Sequence, residues 1–128
     1  MTPSTSRKAA RRQALFLLYQ WDLTGQELAS LFEGEPDDFA QSLAEAVAGR
    51  APDLDRRISA ASPDWPADRL GTLERNILRI GVYELEEETV PREVAINEAV
   101  VLAKRYATED ASRLVNGILG RIAREEAA

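Results

Sequence analysis

Apolar side chains in this chain recur at three- and four-residue intervals almost from end to end, which is the spacing of one helical face. Ala10, Ala14, Leu17 and Trp21 share one side of a predicted first helix, capped by Ser4 or Thr5 and ending near Thr24-Gly25. A short second segment follows from Gln26 to Phe32, ending at Gly34 with Pro36 just beyond. From about Pro36 the apolar positions Phe39, Leu43, Val47, Leu54 and Ile58 stay in phase across Pro52. That continuity predicts one long helix kinked before Pro52, because proline deletes a backbone donor and crowds the preceding turn.

Ser62-Pro63-Asp64-Trp65-Pro66 is the clearest loop, and 62–68 is where two helical subdomains would divide. Leu70, Leu73, Ile77, Ile80 and Leu85 predict a further helix that runs into Glu86-Glu87-Glu88. Pro91 can open the next helix without wasting an N–H. Its Ala95, Ala99, Ala103, Ala107 ladder would let a neighbour approach closely. Thr108 is expected to cap the last helix, with Glu109 and Asp110 at its positive end. Leu114, Val115, Ile118, Leu119 and Ile122 form that helix's apolar face. Gly81, Gly117 and Gly120 are read as close-packing positions, and Trp65 as an anchor over the core. No segment alternates like a strand. The expectation is a single all-α domain over 1–128 with six or seven helices.

Composition narrows the chemistry. There is no Cys and no His, so thiol nucleophiles, disulfides, Ser-His-Asp triads and ordinary zinc sites are excluded. Acid pairs at Asp37/Asp38, Asp53/Asp55 and along Glu84 to Glu88 read as solvated helix faces. Carboxylate chemistry with Mg²⁺ stays possible in principle, but with no phosphate-cradling glycine loop and no acids set in a pocket by their spacing, no cofactor and no metal are expected. The apolar run Ala14 to Tyr19 after a basic stretch is too short for a signal peptide or a membrane span. A cytoplasmic protein is expected.

The 16 basic and 22 acidic side chains give a net charge of −6, which alone argues against nucleic acid. The distribution changes that picture. Arg7, Lys8, Arg11 and Arg12 lie in the first 21 residues with no acid, and everything after them is acidic in balance. On one helix these four cover an arc of roughly 140°, and Tyr19 projects in nearly the direction of Lys8 and Arg12. Guanidinium groups pair with phosphates and an aromatic ring can stack on a base, so this face suits RNA. A merely solvated basic face, or one that meets an acidic protein or a membrane surface, fits the same residues.

Two stretches resemble the NusB family of bacterial transcription antitermination factors. Ala10-Arg11-Arg12-Gln13-Ala14-Leu15-Phe16-Leu17-Leu18-Tyr19-Gln20-Trp21 is similar to that family's arginine-rich opening helix. Leu73-Glu74-Arg75-Asn76-Ile77-Leu78-Arg79-Ile80-Gly81-Val82-Tyr83-Glu84-Leu85 is similar to its Leu-Arg…Tyr-Glu-Leu helix. Val90-Pro91, Val94-Ala95-Ile96-Asn97-Glu98-Ala99-Val100, Leu102-Ala103-Lys104 and Val115-Asn116-Gly117-Ile118-Leu119 follow in order.

The resemblance implies two three-helix subdomains and a non-enzymatic role. It implies pairing with ribosomal protein S10 (NusE), binding of boxA RNA in nascent ribosomal or leader transcripts, and work with RNA polymerase to read through terminators. Help in ribosomal RNA maturation and self-pairing into a homodimer are also implied. Residue by residue, it assigns Arg7, Lys8, Arg11 and Arg12 to RNA, and Tyr19 and Glu74 to S10. Asp110, which falls close to where RNA and S10 meet, is assigned to RNA as well. Leu114 stands where some members place an aromatic ring. Two alternatives stay open: an accessory RNA-binding domain that serves an RNA-modifying enzyme, and a purely structural protein-interaction module. A membrane-surface role fits least. The uneven charge suggests that RNA binding by this acidic chain needs a basic partner.

Overall fold

The computed structural model describes residues 7–32, 34–35 and 37–127. Among them lie six α-helices and no strand: α1 (Arg7–Thr24), α2 (Asp38–Gly49), α3 (Ala51–Ala61), α4 (Thr72–Glu87), α5 (Arg92–Tyr106) and α6 (Glu109–Ala127). The caps expected at Ser4 and Thr5 fall outside the described residues. No helix among the described residues is long and apolar enough to cross a membrane.

Helix ends follow local chemistry. At the end of α1, Gly25 takes φ +73°, and the Thr24 hydroxyl donates to the Gln20 carbonyl at 2.6 Å. The segment Gln26 to Phe32 gives only a 3-10 turn, Leu28–Leu31. A stretch this short cannot repay helix nucleation, and Leu28, Leu31 and Phe32 instead pack sideways onto the core. Asp37 caps α2 by accepting from the Ala40 N–H at 3.0 Å.

The long kinked helix expected over Phe39 to Ile58 is two helices. The break is at Arg50, with φ −112° and ψ 10°. Pro52 sits in the first turn of α3, where its missing N–H is harmless. Leu70 is buried but precedes α4, separated from it by Gly71. That helix ends at Glu88, whose left-handed φ of 53° turns the chain and whose N–H donates to the Glu84 carbonyl at 3.0 Å. Pro91 caps α5 rather than occupying its first turn. Thr108 caps α6, accepting from the Ala111 N–H at 2.9 Å.

α4 touches each of the other five helices, and Ile77, Leu78, Ile80, Val82 and Leu85 on it are buried. Each large apolar side chain so placed contributes about 1.5–3 kcal/mol. Ala95, Ala99 and Ala103 are buried as expected, while Ala107 lies beyond the end of α5.

Two glycines expected to behave alike do not. A Cβ added at Gly81 would lie 2.6 Å from Leu119 Cδ1, so here the small residue does permit close packing of α4 on α6. Gly81→Ala is therefore expected to destabilise the protein by about 1–3 kcal/mol through overpacking. Urea unfolding checks this; an unchanged midpoint would mean that Leu119 moves aside freely. Gly117 is exposed, and a Cβ there meets nothing within 4 Å. It packs against no helix, although a mid-helix glycine costs about 0.5–1 kcal/mol relative to alanine. Trp65 likewise departs from expectation: it is 54% exposed and anchors nothing.

Candidate RNA and partner interface

The basic residues of α1 do not act as one face. Arg7 lies 4.8 Å over the ring of Phe39 on α2. Lys8 points the other way, its Nζ 3.7 Å from Glu98 on α5. Arg12 is half-buried and has no charged partner among the described residues.

Arg11 overturns the sequence assignment. It is 3% exposed and pairs with Glu84 of α4, itself 2% exposed. Arg11 Nε donates to Glu84 Oε1 at 2.7 Å and Nη2 donates to Oε2 at 2.8 Å. Burial alone would lower the Arg11 pKa. The hydrogen bond to Glu84, the charge of Glu84 and that of Glu98 outweigh burial, and the pKa is raised. Arg11 is thus held charged in the interior, where its guanidinium serves Glu84 rather than standing in solvent with Lys8. The buried face of α1 runs through Arg11, Leu15 and Leu18 as well as Ala10, Ala14 and Leu17, leaving Trp21 half-buried at its edge. Glu84, read from sequence as part of a solvated acidic face, is a core residue.

A second enclosed network holds the far end of α1. Arg79 donates to Asp55 Oδ1 at 2.7 Å and to Oδ2 at 2.6 Å, and to Asp22 Oδ2 at 3.0 Å. The same Asp22 oxygen accepts from Arg75 at 2.9 Å and Asn76 at 3.0 Å. Burial would lower the Arg79 pKa, but the hydrogen bond and charge of Asp55, joined by those of Asp22, outweigh it, and the pKa is raised. This network ties α1, α3 and α4 together, so those acids serve the scaffold.

What is left for a ligand lies along α1 and α5. Phe16 and Tyr106 meet edge to face, with centroids 5.0 Å apart and planes at 79°. Lys8 meets Glu98 and Phe16 meets Tyr106 at equal steps along both helices, so α1 and α5 run side by side in the same direction. Arg105 is seven residues after Glu98, two turns along the same flank. Lys8, Arg12 and Arg105 are thus the cations on this side of the molecule, with Glu98 set against Lys8. Arg105 was not singled out from sequence; its only signal was the Lys104-Arg105 pair in the last turn of α5.

Tyr19 is half-buried and lines an open depression of about 490 Å³ with Gln13, Phe16, Gln20 and Leu31. Glu74, Asp110 and Leu114 come together in a different depression of about 360 Å³, beside Trp65 and Arg69. The Glu74 carboxylate folds back over Gly71 at the positive end of α4. Asp110 is exposed and pairs with Arg113 one turn on. Such carboxylates repel phosphate and accept from amide, amino or guanidinium donors. The turn from Tyr106 to Asp110 joins α5 to this pocket. Among the described residues no group of three or more acids converges as a metal site.

The profile of the NusB family matches residues 8–124. The chain is 40% identical over 121 residues to the transcription antitermination protein NusB of Rubrobacter xylanophilus, covering 89% of this chain and 87% of that one. It is 36% identical to the Myxococcus xanthus protein of the same name, with 92% and 94% covered. Among solved structures, a T. maritima NusB superposes with TM-score 0.85 at 32% identity, covering 96% of this chain and 94% of that one. A structure of the antitermination factors NusB and NusE in complex with double-stranded RNA superposes with TM-score 0.82 at 32% identity, with 93% and 96% covered. Arginine-rich opening helix, Tyr-Glu-Leu helix and alanine-lined α5 thus stand in one continuous match, and the chain belongs to the NusB family.

Proposed function

We propose that this protein is a cytoplasmic transcription antitermination factor that pairs with NusE and binds boxA RNA, acting by assembly and without catalysis. The observation that carries this reading is the group of cations Lys8, Arg12 and Arg105 on one side of α1 and α5, with Glu74 and Asp110 gathered in a separate pocket beside Arg69. The likeness to a NusB that is bound to both NusE and RNA supports it. RNA phosphates meet these cations. NusE takes the Tyr19 depression and the carboxylates of Glu74 and Asp110. RNA polymerase joins through the assembled pair, and a homodimer would hold these surfaces in reserve.

Three cations on a chain of net charge −6 give weak binding by themselves. A basic partner offsets the repulsion and adds contacts. The expected result is little boxA binding by this chain alone and a large gain with NusE. The log–log salt slope contributed by these cations should be about −2 for single-stranded RNA. Titration of boxA RNA with and without NusE at several salt concentrations measures both quantities; equal affinity in the two cases overturns the reading.

A further inference from the structure

Two features of this molecule have no role in its packing, and they face the same groove. Trp65 leaves more than half of its surface in water, although indoles normally bury most of theirs. Gly117 interrupts α6 in mid-helix with open space where a Cβ would sit. Both line a groove of about 430 Å³ between the 62–66 loop and α6, together with Pro63, Ile118, Arg113 and Arg121. Arg113 and Arg121 are just over two turns apart on α6, about 12 Å. One carboxylate, Asp64, stands among the lining residues against these two guanidiniums.

The backbone of the loop that carries the indole is fixed. Trp65 N–H donates to the Ser62 carbonyl at 3.0 Å, and Ala67 N–H donates to Ser59 Oγ at 2.9 Å. Arg121 Nη1 donates to the Ala61 carbonyl at 3.3 Å. Pro63 and Pro66 fix the backbone on either side. A ring carried on an ordered backbone has only its own side-chain rotation left to lose when something stacks on it. The ion pairs of these arginines are exchangeable: Arg113 pairs with Glu109 and Asp110, and Arg121, besides its bond to Ala61, pairs with Glu125, each along α6 and in solvent. Such pairs are weak and yield readily to a phosphate, which takes two guanidinium hydrogen bonds at once.

We propose that this groove captures an unpaired RNA base on the Trp65 indole, over the bare backbone at Gly117, with the adjoining phosphates on Arg113 and Arg121. The proposal rests on the RNA-binding reading above and extends it. Trp65 also borders the depression that holds Glu74 and Asp110, so the groove adjoins the surface proposed for NusE. The base is recognised by stacking, which tolerates any base identity.

The test is a titration of the full chain with NusE, using a single-stranded boxA oligonucleotide extended by unpaired nucleotides at both ends. Binding is expected to quench the Trp65 emission. Trp65→Ala should lower affinity about tenfold and remove that quench, with Trp65→Phe retaining most of the affinity. Gly117→Ala should raise the melting temperature and still weaken RNA binding, a combination that a purely structural glycine does not produce. If Trp65→Ala and Gly117→Ala bind RNA like the parent while Lys8→Ala with Arg12→Ala is weakened, the groove is not an RNA site and the broader reading stands. If all of these variants bind like the parent, the broader reading falls too. Weakened NusE pairing by Trp65→Ala in the absence of RNA would make the groove a protein interface and overturn the proposal.

Discussion

Arg11→Ala is expected to destabilise the protein by about 3–5 kcal/mol, the range for breaking a buried ion pair by removing one partner. Glu84 would be left charged and enclosed, with nothing to replace two hydrogen bonds of 2.7 and 2.8 Å. For a chain of this size the melting temperature should fall by about 10 °C or more. Glu84→Ala should do the same from the other side. Arg11→Met combined with Glu84→Leu keeps the volume and removes both charges, so it should recover most of the loss. Calorimetry of the three variants against the parent settles the point. Two single variants that melt with the parent would mean that water reaches the pair. An RNA-binding assay on Arg11→Ala therefore reads folding rather than contact, and Lys8 and Arg12 are the positions at which α1 is to be tested.

The second large effect is expected at Arg79. Arg79→Ala strips Asp55 of both its hydrogen bonds and removes one of the three donors on Asp22. Asp22 keeps Arg75 and Asn76, and Asp55 is partly open to water. The loss should therefore be smaller than at Arg11, about 2–4 kcal/mol. Asp55→Asn should cost less again, because the amide oxygen still accepts one bond. Urea denaturation of the two variants gives the order. An Asp55→Asn variant less stable than Arg79→Ala would contradict it.

Most of the architecture was legible in the spacing of apolar residues. Val47, Leu54 and Ile58 were rightly read as one apolar face, but their unbroken phase predicted a single kinked helix where the chain makes two, α2 and α3. Leu114 to Ile122 marked α6, and Thr108 capped it as read. The short stretch Gln26 to Phe32 was misread because periodicity over seven residues does not distinguish one turn from several. The site was less legible. A basic side chain in α1 looks the same in sequence whether it meets solvent or a carboxylate 73 positions away, so Arg11 was grouped with Lys8 and Arg12. Arg105 went unnoticed for the converse reason, since only the contacts between α1 and α5 put it on the same side as Lys8. Trp65 and Gly117 were given packing roles because that is what such residues usually do, and only the folded chain shows the space around them.

Arg11 also bears on what an excised piece of this protein can report. A peptide copying α1 would present Arg11 to solvent beside Lys8 and Arg12, and its arginine at position 7 would be released from Phe39. It would meet RNA as a flexible polycation, with a steeper salt response and less discrimination than the same residues in the intact chain. Folding thus acts as a filter on its own sequence: it withdraws one cation into the interior, turns another toward α2, and leaves fewer charges outside, each placed by the helix beneath it.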